Sequence, residues 1–270
     1  MVTQQLDGIA FQLKQPYDFS FLGKYGTVFK VFDGQDSGNI CFGVAKGDEK
    51  CFVKFAGAPT AEYSGAIEDA IERLRAAAPV YQDLRHPALI SLVEAKEIGG
   101  GFILVFDWED AVCAHRMYPA DHAKFQTIPL CDRVRIFGDI LDFHINAAAK
   151  GYTAVDFYDG SLMWDFANRR TIICDIDFYT KGNAYGNQAW WGHMTRTASP
   201  EERVDGILID EISNVYNMGA IAFVLFADGD RSPEAWPLSP ERHAIALRAA
   251  NDAREKRWQS ITELQNAWNS

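Results

Sequence analysis

The chain has 270 residues, 48% of them hydrophobic and 23% charged, with 18 Phe, 10 Tyr and 7 Trp. Such a composition can bury a sizeable core, in one large or two modest domains. With 26 Lys and Arg against 37 Asp and Glu, the net charge of −11 argues against general affinity for nucleic acid or for an anionic membrane, because both demand a basic surface.

The cysteines Cys41, Cys51, Cys113, Cys131 and Cys174 are odd in number and include no C-x-x-C pair, so neither a structural zinc nor a disulfide scaffold is expected. Free thiols in apolar settings, such as Cys174 after Thr171-Ile172-Ile173, suit a reducing cytosol. The first residues lack a basic region followed by an apolar one, so they do not form a signal peptide. The apolar run 219–226 is too short to span a bilayer. The expectation is a cytoplasmic protein.

In chain order, residues 29–32 form a short apolar run ending at Asp33-Gly34, a turn signal, and 51–55 form another. Residues 66–78, rich in Ala, Glu and Arg, are a helix by propensity, which Pro79 ends or kinks. Residues 92–98 and 102–107 flank three glycines and form a hairpin. Residues 132–150 place Val134, Phe137, Leu141 and Ala148 on one helical face, with Asp132 as the N-cap and Gly151 as the stop. Residues 162–164 and 171–174 make a small hairpin around Asn168-Arg169-Arg170. Residues 208–226 form a helix apolar on nearly all sides, buried in the centre of a lobe. Residues 240–270 hold two more helical segments. A strand-rich part with one helix precedes a helix-rich part, which gives an α+β fold with two lobes joined near residues 107–110.

Three stretches carry chemistry. Gly23 and Gly26 precede Val28 in a run that lets backbone approach a phosphate, although a plain turn explains them as well. Lys54 interrupts the apolar strand Phe52-Val53-Lys54-Phe55. It is either a solvent-facing lysine or an ammonium turned to phosphate oxygens and steadied by Glu72 or Glu68 of the next helix. Asp156 and Asp175 lie at the two ends of the small hairpin, so they can converge. One would accept a proton from a hydroxyl while the other holds Mg²⁺.

These stretches appear in a familiar order. Leu22-Gly23-x-x-Gly26-x-Val28 is similar to the later part of a glycine-rich loop, and Phe52-Val53-Lys54 to a lysine-bearing third strand. Leu84-Arg85-His86-Pro87 follows the helix. Ala154-Val155-Asp156 stands at the place of a catalytic loop and Asp175-Ile176-Asp177 at that of a metal-binding Asp-Phe-Gly. Ala198-Ser199-Pro200-Glu201 ends the intervening segment, Asn214 to Gly219 open the buried helix, and Arg257 comes late in the chain. From about residue 20 the sequence resembles the protein kinase-like superfamily, above all small bacterial serine/threonine kinase-like proteins.

That resemblance implies a single kinase-like domain with an N-lobe over about 1–107 and a C-lobe over about 111–270. It implies ATP and Mg²⁺ as cofactors and a hydroxyl-bearing acceptor, a protein Ser or Thr or else a small molecule. Asp156, Lys54 and Glu72 would be catalytic. Gly23, Gly26, Val28, Lys54, Asp107 and Glu109 would bind the nucleotide. Asp175, Asp177 and Ser161 would bind metal, and Arg257 would pair with Glu201. The departures are equally specific. Phe21 replaces the first glycine, and the long interval from Val28 to Lys54 suggests an extra hairpin. Ala154 and Val155 replace His and Arg. Tyr158 and Ser161 replace a lysine and a metal-binding asparagine, and Asn214 replaces a bracing aspartate. A catalytically weak or inactive pseudokinase is therefore the alternative.

Overall fold

Asp7 and Gly8, at φ 49° and 88°, reverse the chain between two alternating runs, β1 (Val2–Leu6) and β2 (Ile9–Leu13). A two-residue turn with both φ positive matches the twist of its strands. The expected elements begin at residue 29 and do not include this hairpin. The computed structural model describes residues 1–186 and 196–270, and its chain divides into two compact units, 1–85 with 90–109 and 86–89 with 110–270.

In the first unit, β3 (Thr27–Phe32), β4 (Asn39–Lys46), β5 (Glu49–Ala56), β6 (Leu92–Ile98) and β7 (Gly101–Asp107) form an antiparallel sheet in the order β3-β4-β5-β7-β6. The pleat sends Ile40, Phe42, Val53, Phe55, Ile103 and Val105 to one face, where Phe11, Leu13, Phe19 and Leu22 cover them. The other face carries α1 (Ile67–Asp83), with Tyr81 edge-on to Phe106 at 4.8 Å. Pro79 does not end this helix; it stands on the exposed side, where the carbonyl it leaves unbonded can be hydrated. No extra hairpin lies between Val28 and Lys54. The interval holds a loop over 33–38, β4 and the turn into β5.

In the second unit, β8 (Val112–Cys113) leads to α2 (Pro119–Phe125) and α3 (Leu130–Ala149). Asp132 is not the N-cap of α3. Pro129 holds that place, and Asp132, one turn inside, binds Arg169 at 2.5 Å. Gly151, at φ 77°, ends the helix. The chain continues through β9 (Tyr152–Thr153), the hairpin β10 (Leu162–Asp165) and β11 (Arg170–Ile173), then β12 (Thr180–Lys181), β13 (Ala184–Tyr185) and β14 (Leu208–Ile209).

The helix expected over 208–226 begins later, because Asp210 caps α4 (Glu211–Ala227). Its carboxylate accepts the Ile212 and Ser213 N–H groups, so Leu208 and Ile209 remain extended and pair with β13. Helix α4 is buried from Ser213 to Phe226, packed by α5 (Pro240–Ala249) and α6 (Ile261–Asn269). Gly219 makes that approach possible, since a Cβ there would sit 2.6 Å from the Ala250 nitrogen. Arg257, fully buried, meets Glu201 through two bonds of 2.9 and 3.0 Å, as the sequence suggested.

Candidate functional site

Lys54 lies on β5, between β4 and β7, and is 8% exposed. This excludes the solvent-facing reading. The residue sits opposite Leu104 in the register, on the face of the sheet that α1 covers. The carboxylate expected from α1 is not there. The buried face of α1 is Ala70, Leu74, Ala77 and Tyr81, while Glu68 and Glu72 are exposed and Glu72 bonds Arg75 at 2.5 Å. The assignment of Glu72 as partner of Lys54 is thereby corrected: helical phase turns positions 68 and 72 away from the sheet.

The two glycines expected to approach phosphate, Gly23 and Gly26, precede the first strand of the sheet. Gly23 lies in a short 3-10 turn (Ser20–Lys24), Gly26 precedes the sheet, and Val28 is buried in β3. Gly26 serves backbone packing: at φ 134° a Cβ would lie 2.1 Å from the Ala45 carbonyl oxygen. Since Lys54 is on the third strand of the sheet, the loop joining the first two strands spans residues 33–38. That loop carries Asp33 and Asp36. Asp33 accepts the Gln12 N–H at 2.7 Å, Arg73 of α1 donates to the Ser37 carbonyl at 2.8 Å, and Gly38 abuts Tyr63 and Ala70. Asp33-Gly34 and Ser37-Gly38 between two strands were the available signal. At the end of β7, the Asp107 N–H is bonded to the Ser91 carbonyl at 3.1 Å and the Trp108 N–H to Lys50 at 3.4 Å. Glu109 is the last residue of this unit.

In the second unit the register Leu162↔Ile173 brings the two flanks of the hairpin side by side, and the Cys174 N–H donates to the Ser161 carbonyl at 2.9 Å. Asp156, at φ 61°, and Asp175, at φ 55°, both occupy the left-handed region, which non-glycine residues hold only when their surroundings enforce it. The Tyr158 hydroxyl donates to Asp175 at 3.3 Å. The loop and the segment after β11 are thus joined through the residue standing where a lysine was expected.

Asn214 performs the bracing for which an aspartate was expected. It accepts the Ala154 N–H at 2.9 Å and donates to the Ala154 carbonyl at 2.6 Å. Thr197 donates to the Phe157 carbonyl at 3.1 Å. Val155 packs with Phe178, Ala184 and Ile209, an apolar contact at the place of an arginine. Beneath, His144 accepts the Tyr179 hydroxyl at 2.7 Å and donates to the Ile140 carbonyl. Burial lowers its pKa to about 4, so it is neutral.

At the rim, Arg196 spans Asp159 (2.7 Å) and Asp228 (3.2 Å), and Arg116 also holds Asp228 at 2.7 Å. Burial pushes the Asp228 carboxyl up, but the bonds from the two arginines outweigh it and leave the pKa below the ordinary range. Burial pushes Cys113 up to about 12, which keeps it a thiol.

A Mg²⁺ ion held beside a nucleotide needs only one or two carboxylates, with phosphate and water oxygens completing its shell. The residues present fit that demand. Asp175 and Asp177 are partly exposed on either side of fully buried Ile176, and the buried Ser161 Oγ has no hydrogen-bond partner among the described residues. Among those residues no three acids, histidines or cysteines form a closed cage. Sequence reasoning missed Glu202, Asn217 and Thr197, which support the loop from below. Two amides three apart, Asn214 and Asn217, in an otherwise apolar helix were the signal. By its Gly, Asn, Tyr and Trp content the segment 178–197 suits a peptide platform or a cover packed over a small pocket; its residues 187–195, with Trp190 and Trp191, lie outside the described residues.

No family model and no curated protein matches the sequence. Solved structures do: two crystal structures of the Mycobacterium tuberculosis PknI kinase domain are each 18% identical, with a TM-score of 0.59. They cover 91% of this chain and 95% and 94% of theirs. The chain has a two-lobed α+β protein kinase-like fold. Among the described residues no helix is long and apolar enough to cross a membrane.

Proposed function

We propose that the protein is an ATP-dependent phosphotransferase of protein kinase type that transfers the γ-phosphoryl to a hydroxyl, with a protein Ser or Thr as the favoured acceptor. The observation that carries this reading is the pair of left-handed aspartates, Asp156 and Asp175, with Tyr158, two residues after Asp156 on the same loop, donating to Asp175. Strained backbone at two acidic residues is worth its cost where their carboxylates must face one point. Asp156 would orient the acceptor hydroxyl and take its proton. Lys54 would hold the α- and β-phosphates, and Asp107 to Glu109 would supply backbone groups for the adenine edge. Asp175, with Asp177 and Ser161, would hold Mg²⁺, which when bound neutralises charge on the β- and γ-phosphate oxygens.

Two measurements test this. ATP with Mg²⁺ should raise the melting temperature of the wild type and not of Lys54→Ala; no shift in either protein rejects nucleotide binding. Phosphoryl transfer from labelled ATP should fall by about 10²–10⁴-fold in Asp156→Asn; equal signals reject catalysis by this loop. The second reading, a nucleotide-binding pseudokinase, is favoured by Tyr158 and Val155: one bonds Asp175 where a lysine was expected, and the other packs with Phe178, Ala184 and Ile209 where an arginine was expected. A melting shift without transfer would select it.

A further inference from the structure

Glu202 is 1% exposed and has no part in the phosphotransferase reading, yet it touches the backbone of the candidate base. Its Oε2 accepts the Ser199 N–H at 2.5 Å, the Ser199 hydroxyl at 2.8 Å and the Asn217 side-chain amide at 2.8 Å. A fourth donor is the N–H of Asp156 itself. The Asn217 amide is oriented by two further bonds, to the Thr197 carbonyl at 2.9 Å and from the Asn214 amide at 3.3 Å. Four donors converge on one buried carboxylate, and three of them come from elements other than the loop.

Around this carboxylate the loop is held residue by residue. Asn214 takes both backbone groups of Ala154, Glu202 takes the N–H of Asp156, and Thr197 takes the carbonyl of Phe157. Asp156 is the one of these at positive φ, a conformation that persists only when over-determined by its surroundings. The basic residue expected just before it is Val155, which contributes apolar packing and no charge. We propose that Glu202 is the positioning residue that fixes Asp156 in its left-handed conformation and so aims its carboxylate, a role that rests on the phosphotransferase reading for its catalytic consequence. Glutamine keeps one acceptor oxygen for these donors but loses the charge that strengthens their bonds.

The test compares wild type and Glu202→Gln by steady-state transfer from labelled ATP and by amide hydrogen exchange. Misplacing a reacting group by about an ångström costs about 10²-fold. The expected result is therefore a kcat lower by about that factor, with KM for ATP within about twofold. Exchange in the peptide spanning 152–160 should quicken about tenfold, with none in the hairpin peptide 162–173. Unchanged exchange at 152–160, or equal loosening of both peptides, overturns the proposal, as does an unchanged kcat.

If the wild type transfers no phosphoryl group, the phosphotransferase reading fails. The exchange experiment still decides whether Glu202 holds the loop. Should Glu202→Gln not fold, Asn217→Ala removes one donor from the same oxygen. It should quicken exchange at 152–160 about threefold, and no change there overturns the proposal.

Discussion

His144 shows how a single side chain under the loop couples its protonation to stability. It is 1% exposed, and its ring packs on Phe157 at 4.4 Å and is hydrogen-bonded at both nitrogens. Burial lowers its pKa to about 4 against an ordinary 6.5. Between those values the unfolded chain binds a proton that the folded protein does not, so stability is complete above about pH 6.5 and declines as pH falls toward 4. The full loss is about 3 kcal/mol at 1.36 kcal/mol per unit. Urea unfolding at pH 7 and pH 5 should show about 2 kcal/mol of that loss, and the slope should shrink by about one proton in His144→Leu. At this scale the sequence was informative about residue type and weak about partners. The Arg257–Glu201 pair was legible because short motifs surround both residues. Glu72 was misassigned because spacing along a helix does not say which side faces the sheet.

Among the elements, the N-terminal hairpin and the segment that follows it cover one face of the sheet. Phe19, 2% exposed, lies within 5.1 Å of the Phe42 ring and 6.0 Å of Phe55, so it roofs the face of the sheet opposite α1. Asp7 accepts the Val28 N–H at 2.7 Å, next to the bulge at which β3 leaves its register. Truncating Phe19 to Ala should cost about 3–5 kcal/mol, read as a lower denaturant midpoint with little change in m. An unchanged midpoint would show that the Phe19 ring adds nothing to the core. Asp7-Gly8 between two alternating runs is a strong local hairpin signal. Mistaking Gly26 for part of a phosphate loop had a physical cause: a glycine required by a close backbone approach is indistinguishable, in one dimension, from a glycine required by a ligand.

For the whole molecule, the chain does not divide at one point. Residues 86–89 belong to the second unit although first-unit segments flank them. The Ala88 carbonyl accepts the Ile173 N–H at 2.6 Å, Leu89 bridges Ile173, and His86 reaches Asp142 at 3.1 Å. A fragment of residues 110–270 would leave the Ile173 N–H unbonded and uncover β11. It should lose about 3 kcal/mol or more from that bond and the burial of Leu89. Adding a peptide of residues 84–92 should raise its unfolding midpoint; no effect would show that the second unit is complete from residue 110.

By itself the sequence determined the α+β order of strands and helices, the acidic balance and the carboxylates flanking the small hairpin, because apolar periodicity and Gly, Pro and Asp punctuation act over a few residues. Only the tertiary structure decided which loop joins the first two strands of the sheet, that Glu68 and Glu72 of α1 face away from the sheet that holds Lys54, and that Ser199, Asn217 and Asp156 meet on Glu202. Each of those depends on groups brought together by strand order and helix phase, and no local pattern along the chain encodes their meeting.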